Sequence, residues 1–190
     1  MRDGTRTRER IEATALRLFV EKGVTATTIR DIAVAAAVSE GALYRHYAGK
    51  DELVWTLFAR HYGAFAATLE GLQGAADGLR AKLDAMVAGF CRLFDSDRTL
   101  FSFLLLVQHG QVEKVTPAMA NPVEVVRMAI AAGLRRREIS PIDADLATAM
   151  VMGIVLQTAT FQIYGRLRGT MAAKAAILAD ACWRALNPTN

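Results

Sequence analysis

The sequence predicts an all-α protein of about nine helices, on the basis of its composition and its apolar spacing. Of the 190 residues, 53% are hydrophobic and 22% are charged, so a packed core is expected and general disorder is excluded. Only four prolines occur, none of them in the first 116 residues, and the short β-branched runs never alternate cleanly with polar residues. Helices are therefore favoured over sheets. The length fits one large domain or two small ones.

Four helices are predicted in the N-terminal part. The first lies within residues 6–22, where apolar side chains recur at helical spacing before a glycine. The second follows an N-cap at Thr27 or Thr28. A very short third helix covers residues 39–46. A long fourth helix covers residues 49–72, with acidic side chains in its first turn.

Five further helices are predicted, separated by glycines, an Asp-Ser-Asp run and a Ser-Pro pair. Their predicted ranges are 77–94, 98–112, 117–138, 143–165 and 170–187. Pro122 offers a second possible start for the third of these, because proline is favoured in the first turn of a helix.

Several classes of protein are disfavoured. Cys91 and Cys182 have no C-x-x-C partner, so we expect two reduced core cysteines and neither a disulfide framework nor a metal site. Residues 1–12 lack the apolar run of a signal peptide, and a cytoplasmic protein is expected. Residues 146–165 carry no charge, but scattered Gln and Thr favour a helix inside a helical assembly over a membrane span.

Motifs of common enzymes are also absent from the sequence. It contains no G-x-S-x-G, P-loop, G-x-G-x-x-G or H-E-x-x-H motif, and no cofactor is expected.

The net positive charge is concentrated at the N-terminus. Residues 1–50 carry nine basic and six acidic side chains, and Arg2, Arg6, Arg8 and Arg10 lie in the first ten positions. Such a basic arm suggests a polyanionic partner, with a solvated helix start as the alternative.

A medium helix, a short second helix, a turn and a short third helix form the layout of a helix-turn-helix domain. The third helix would enter the major groove of DNA, which requires small or polar side chains at its start. Ser39, Glu40 and Gly41 meet that requirement. Tyr44, Arg45 and His46 follow as donors to phosphate, and Lys50 lies at a helix N-terminus that also favours phosphate. These side chains are candidates for DNA contact.

Residues 6–55 closely resemble the N-terminal domain of TetR/AcrR-family transcriptional regulators. They contain the successive motifs A-x-x-L-F-x-E-K-G, T-T-I-R-D-I-A, V-S-x-G-x-L-Y-x-H-Y and K-D-E-L. The resemblance implies that Ser39, Glu40 and Gly41 face bases. It also implies phosphate contacts for Thr28, Tyr44, His46 and Lys50. Arg30 and Arg45 match variable positions of the family that could reach DNA.

Alternatives remain for single positions. The Tyr44 side chain could be needed for packing alone. Glu40 could interact favourably with the positive end of the helix dipole, and Lys50 could be a solvated surface charge. Two departures from the family pattern are present. Tyr47 replaces the commoner Phe, which should be harmless, and Gly49 replaces the usual Ser or Asn cap at a modest cost.

The C-terminal part is expected to be a helical domain for dimerisation and ligand binding, as the resemblance implies. One α-helical stripe could be core, dimer seam or ligand wall, with ligand wall the less favoured. Its residues are Leu146, Met150, Gly153, Gln157, Phe161 and Tyr164. The candidate ligand-binding residues, each of which could also be plain core, are Phe90, Phe103, His109, Met152 and Phe161.

The sequence thus predicts a helix-turn-helix domain at residues 1–50 and a helical regulatory and dimerisation domain at residues 51–190. The expected protein is a homodimeric repressor that binds a double-stranded DNA operator and is released by a small apolar effector. The alternatives are the same fold acting without an effector, or as an activator. No membrane partner is expected.

Overall fold

The computed structural model describes residues 2–187, with side chains described for residues 4–187. Residue 1, residues 188–190 and the side chain of Arg2, which belongs to the basic arm, lie outside the described residues. Within it the chain forms nine α-helices and no strand, which confirms the all-α prediction. The helices are α1 Arg2–Lys22, α2 Ile29–Ala35, α3 Glu40–Tyr44, α4 Lys50–Gly74, α5 Gly78–Ser96, α6 Arg98–Val107, α7 Pro122–Arg135, α8 Ala144–Ile163 and α9 Ala175–Leu186.

The helices group into two compact units. The first unit contains Met1–His61 together with Thr99–Thr116, and the second contains Tyr62–Arg98 and Pro117–Asn190. Helix α4 is continuous, and it contributes its first half to the first unit and its second half to the second unit. The boundary between the predicted helix-turn-helix domain, residues 1–50, and the predicted regulatory domain, residues 51–190, stays a prediction.

The core of the first unit includes the stripe expected on α1. Ile11, Ala15, Leu18 and Phe19 are all buried, as their helical spacing predicts. Gly23 ends the helix with a φ of +83°, a left-handed conformation that glycine adopts at no steric cost.

Three of the predicted helix boundaries differ from the structure by five residues. The helix predicted at 170–187 begins at Ala175, after a 3₁₀ turn at Ala172–Lys174. The helix predicted at 98–112 ends at Val107, and two short 3₁₀ turns, Gln108–Gly110 and Val112–Lys114, replace its last part. This polar, glycine-containing stretch has too few apolar side chains to continue a packed helical face. The helix predicted at 117–138 begins at Pro122, which confirms the second start that the sequence offered. The Asn121 side chain accepts a hydrogen bond from the backbone N–H of Val123 and caps the helix.

In the second unit, α5 packs against α7 and α9, and α8 packs against the same two helices. Helices α5 and α7 approach closely at Gly133. A Cβ atom added there would lie 2.5 Å from Cδ2 of Leu79, so a larger residue would force the two helices apart.

Helix α8, Ala144–Ile163, is the one helix among the described residues whose length and composition would allow it to cross a membrane. About a third of its most apolar window, 33%, is buried within the chain. Because the core helices of soluble proteins pass the same test, a single such helix is weak support for a membrane span.

Candidate nucleic-acid interface and ligand cavity

The turn between α2 and α3 is fixed by backbone hydrogen bonds. Ala37 adopts a φ of +51°, in the left-handed region, which reverses the chain after α2. The N–H of Val38 donates to the carbonyl of Ala33 at 3.0 Å, and the N–H of Ala37 donates to the carbonyl of Val34 at 3.1 Å. This pair of bonds closes the end of α2 and sets the direction in which α3 leaves the turn.

The start of α2 is held by a reciprocal cap. Thr28, one of the two caps considered, is the N-cap: its hydroxyl oxygen accepts from the N–H of Asp31 at 3.1 Å. The Asp31 carboxylate accepts in return from the N–H of Thr28 at 2.9 Å and from its hydroxyl at 2.8 Å. The donors of Thr28 are therefore engaged within the protein, and a phosphate contact from its hydroxyl would require that hydroxyl to turn away from Asp31.

Helix α3 presents the residues expected to face bases. Ser39 is its N-cap, with Oγ accepting from the N–H of Ala42 at 3.1 Å. Glu40 and Gly41 follow in the first turn, and both are exposed. A Cβ at Gly41 would meet only Ser39 Oγ, at 4.0 Å, so the fold itself does not require glycine at this position. Tyr44, with 53% of its surface exposed, ends the helix.

Lys50 has a structural partner that sequence reasoning missed. Its Nζ donates to the carbonyls of Val24 at 2.8 Å and Thr25 at 3.3 Å, in the loop after α1. An ammonium group has three donors, so these two bonds leave one for a phosphate. Lys50 therefore ties the loop after α1 to the first turn of α4, in addition to its predicted contact.

Gly49 precedes α4 as expected and offers no side-chain cap. The Glu52 carboxylate accepts from the backbone N–H of Ala48, which ties the first turn of α4 to the residues before it.

All nine predicted DNA-contacting residues lie in the first unit, and each is exposed or half-buried. They cluster along the chain at the start of α2, along and just after α3, and at the start of α4. The residues are Thr28, Arg30, Ser39, Glu40, Gly41, Tyr44, Arg45, His46 and Lys50. Their contacts with DNA stay predictions.

An ionic cluster around a buried carboxylate, with two half-exposed arginines, was not predicted. Glu12 of α1 is only 6% exposed, and its carboxylate accepts from Tyr47 Oη at 2.5 Å, Arg60 Nη2 at 2.7 Å and Arg8 Nε at 3.0 Å. Tyr47 is itself buried, so the tyrosine expected to be a harmless replacement for Phe has a specific hydrogen-bond partner. The sequence held two signals: the i,i+4 spacing of Arg8 and Glu12, and a hydroxyl in a core position.

The protonation states of this cluster follow from its geometry. Burial alone would raise the pKa of the Glu12 carboxyl, but hydrogen bonds from Arg60, Tyr47 and Arg8 outweigh burial and hold that pKa below its ordinary value. Burial and the Glu12 carboxylate raise the pKa of the Tyr47 hydroxyl to about 12. At neutral pH the cluster therefore consists of an ionised carboxylate, a neutral phenol and two guanidinium ions.

The second unit contains an apolar cavity between α4, α5, α7 and α8. This partly open cavity offers about 50 Å³ of free space, and every lining residue is apolar. The lining includes Phe65, Leu69, Leu83, Phe90, Val126 and Met152.

Two of the five candidate ligand-binding residues, Phe90 and Met152, meet at this cavity, and the other three do not line it. Phe103 is fully buried in the first unit, where its ring stacks on Phe19 with centroids 6.0 Å apart. His109 lies exposed in a 3₁₀ turn of the same unit. Phe161 lies on the exposed side of α8. Periodicity marks apolar faces but does not say which partner each face meets.

The remaining residues of the predicted α8 stripe are exposed or half-buried within the single chain. Leu146, Phe161 and Tyr164 are among the most exposed large apolar side chains, and Ile177 of α9 is 71% exposed. The core alternative for this stripe is therefore disfavoured. Several large apolar side chains exposed on two helices are typical of a surface that is covered by a partner.

Comparison with known proteins places these features in context. The family model described as bacterial regulatory proteins, tetR family, matches residues 11–55, which contain α2, α3 and the start of α4. The HTH-type transcriptional repressor KstR2 of Mycobacterium tuberculosis is 43% identical over 72 residues, which cover 32% of this chain and 36% of that protein. The match thus spans about a third of the length of that curated relative.

Solved structures extend the similarity to the whole fold. The fatty acid degradation regulator FadR from Bacillus halodurans superposes with a TM-score of 0.81 at 18% identity, covering 92% of this chain and 93% of that one. The regulator FadR from Bacillus subtilis, solved in complex with stearoyl-CoA, gives a TM-score of 0.76 at 18% identity, covering 93% of this chain and 97% of that one. The relatives are described as regulators and not as enzymes.

Proposed function

We propose that this chain, a member of the TetR/AcrR family of transcriptional regulators, represses transcription as a homodimer bound to operator DNA. The observation that carries the proposal is the exposed α3 helix, which presents Ser39, Glu40 and Gly41 on a buried and hydrogen-bonded frame. Such a helix fits the major groove, while donors at its end and at the start of α4 meet phosphates. A cytoplasmic location follows from this role.

Selection of bound DNA from random duplexes tests the proposal. We expect a pseudo-palindromic site, because the two-fold symmetry of a dimer is mirrored in its operator. Affinity should fall steeply as the salt concentration rises, since binding to phosphates releases counterions. Recovery of no symmetric motif would refute specific operator binding by a dimer.

Two substitutions separate base contacts from phosphate contacts. Gly41→Ala meets no obstacle within the protein, so any loss of operator binding must arise at the DNA. We expect it to alter the preference between sites by about 1–3 kcal/mol. Tyr44→Phe removes one exposed hydroxyl and should weaken all sequences by a similar factor. Titration of each variant against the selected site and its single-base variants measures both effects.

The matched control is Gly4→Ala, which makes the same change at an exposed position of α1 with open space around it. It should leave the ranking of sites unchanged. An equal loss on all sequences from Gly41→Ala would contradict the assignment of Gly41 as a base-facing residue.

The homodimer is supported by the exposed apolar face on α8 and α9. Leu146, Phe161, Tyr164 and Ile177 would be covered by the same residues of a second copy. Beyond Asp145 in its first turn, α8 carries no charge, so residues 146–163 bring no like-charge repulsion to such pairing. We propose this face as the dimer seam.

The apolar cavity supports a hydrophobic effector. Its free volume of about 50 Å³ is far below the roughly 300–1,000 Å³ of a ligand pocket, so an effector would have to push the surrounding helices apart. One of those helices is α4, whose first half belongs to the DNA-binding unit. An effector that binds only the widened form would shift the population away from the form that fits DNA.

The Bacillus subtilis FadR structure with stearoyl-CoA suggests long acyl chains as the first compounds to test. A coupling of about 1–3 kcal/mol would weaken operator binding roughly 5- to 150-fold. The small cavity volume also favours the alternative of a regulator without an effector. The two are separated by whether any compound that stabilises the protein also lowers its operator affinity.

A cavity-filling variant tests the effector site. Val126→Leu adds a methylene group inside the cavity, so we expect it to reduce or abolish the thermal stabilisation produced by acyl compounds while operator binding is kept. Val123→Leu is the control, because Val123 lies on the same helix but outside the cavity lining. Thermal unfolding with and without each compound measures the effect. An unchanged response in Val126→Leu would move the effector site elsewhere.

A further inference from the structure

The Glu12 cluster connects three parts of the DNA-binding unit through one carboxylate. Glu12 and Arg8 belong to α1, Tyr47 lies in the turn between α3 and α4, and Arg60 belongs to α4. The acceptor is within hydrogen-bond distance of donors that lie 35 and 48 residues away along the chain. None of these four side chains belongs to the nine residues predicted to contact DNA.

The arrangement is costly, which argues for a role beyond packing. A buried carboxylate loses its hydration, and an apolar side chain of similar volume would often be equally stable or more so. Charge-assisted hydrogen bonds fix the relative positions of the groups they join, because their strength depends on distance and angle. Moving α4 relative to the end of α3 would stretch either the 2.5 Å bond from Tyr47 or the 2.7 Å bond from Arg60.

We propose that Glu12 is a positioning residue that fixes the angle between α3 and α4, and thereby the separation of the two α3 helices that the dimer presents to its operator. The proposal rests on the proposed function for its DNA readout. In a dimer joined through the second units, α4 is the helix that continues from each DNA-binding unit into the second unit. A small change in its angle therefore changes the half-site spacing that fits best.

The test uses three palindromic operators that differ only in half-site spacing: the selected spacing, one base pair shorter and one base pair longer. Tyr47→Phe removes a single hydroxyl from the cluster, and Glu12→Gln removes the charge. We expect both variants to reduce the preference for the selected spacing roughly 2- to 30-fold. The salt slope should stay unchanged, because neither side chain contacts phosphate.

The matched control is Glu21→Gln, which makes the same chemical change on the same helix. Glu21 is paired with Arg17 at 2.9 Å, but both side chains are about half exposed, so the pair contributes little. This variant should keep the wild-type preference among the three spacings.

Hydrogen exchange of the backbone amides at residues 53–61 provides a readout that does not depend on DNA. We expect faster exchange there in Glu12→Gln than in Glu21→Gln, since α4 loses a tether in the first variant only. If the wild type binds no operator, the proposed function fails, and this measurement alone decides whether Glu12 holds α4.

Three results would overturn the proposal. Equal losses on all three spacings would show that Glu12 and Tyr47 support folding and not positioning. A spacing preference that stays at the wild-type value in both variants would show that the angle is set elsewhere. Unchanged exchange at residues 53–61 in Glu12→Gln would show that the cluster does not restrain α4.

Discussion

The double variant Phe161→Asp, Ile177→Asp is expected to be a folded monomer whose operator affinity is at least about 100-fold below that of the wild type. Both side chains are largely exposed in the single chain, at 45% and 71%, so the substitutions leave its core intact. In the proposed seam each aspartate would be buried against apolar side chains of the partner, which is strongly unfavourable. A monomer loses the second half-site, and with it an avidity of roughly 10²–10⁴.

Sedimentation velocity and operator titration measure the two effects separately. Met128→Asp is the control, since Met128 is an exposed apolar residue of α7 outside the proposed seam. This control should remain dimeric and should bind normally. A double variant that stays dimeric would place the interface on another surface.

The variant Phe103→Ala is expected to lower the free energy of unfolding by about 3–5 kcal/mol. The Phe103 side chain is fully buried and stacks on Phe19 of α1, so its removal leaves a cavity in the DNA-binding unit. Urea unfolding at a fixed protomer concentration measures the change, because dimer stability depends on concentration.

His109→Ala, in the exposed turn after α6, should stay within about 0.5 kcal/mol of the wild type. The comparison distinguishes a core residue from a surface residue among the five candidate ligand-binding residues. A loss below about 1 kcal/mol in Phe103→Ala would contradict its place in the core.

The local features of the fold could be predicted from the sequence. The stripe Ile11, Ala15, Leu18 and Phe19, the cap at Thr28 and the short α3 helix depend on residues close together in the chain, where helical period and hydrogen-bonding chemistry decide the outcome. The early end of α6 was missed although the polar, glycine-containing stretch from Gln108 was a signal for it in the sequence.

The features that depend on distant residues could not be predicted in the same way. Phe90 and Phe103 both lie on apolar faces, yet one lines the cavity of the second unit and the other fills the core of the first. Glu12 meets Arg60 across 48 positions, and nothing in the local pattern selects that partner. The residue type predicts that a side chain will be buried or ion-paired, but only the tertiary fold determines which residue it contacts.

The all-apolar wall of the cavity limits what this protein could distinguish. Without hydrogen-bonding groups, the wall can compare molecules only by size and shape, and one methylene group is worth only about 1–3 kcal/mol in such a pocket. Two acyl chains that differ by one methylene group would then differ in affinity by roughly 10- to 200-fold. A regulator of this kind would rank apolar compounds by length and bulk, and compounds of equal size and shape would be equivalent signals.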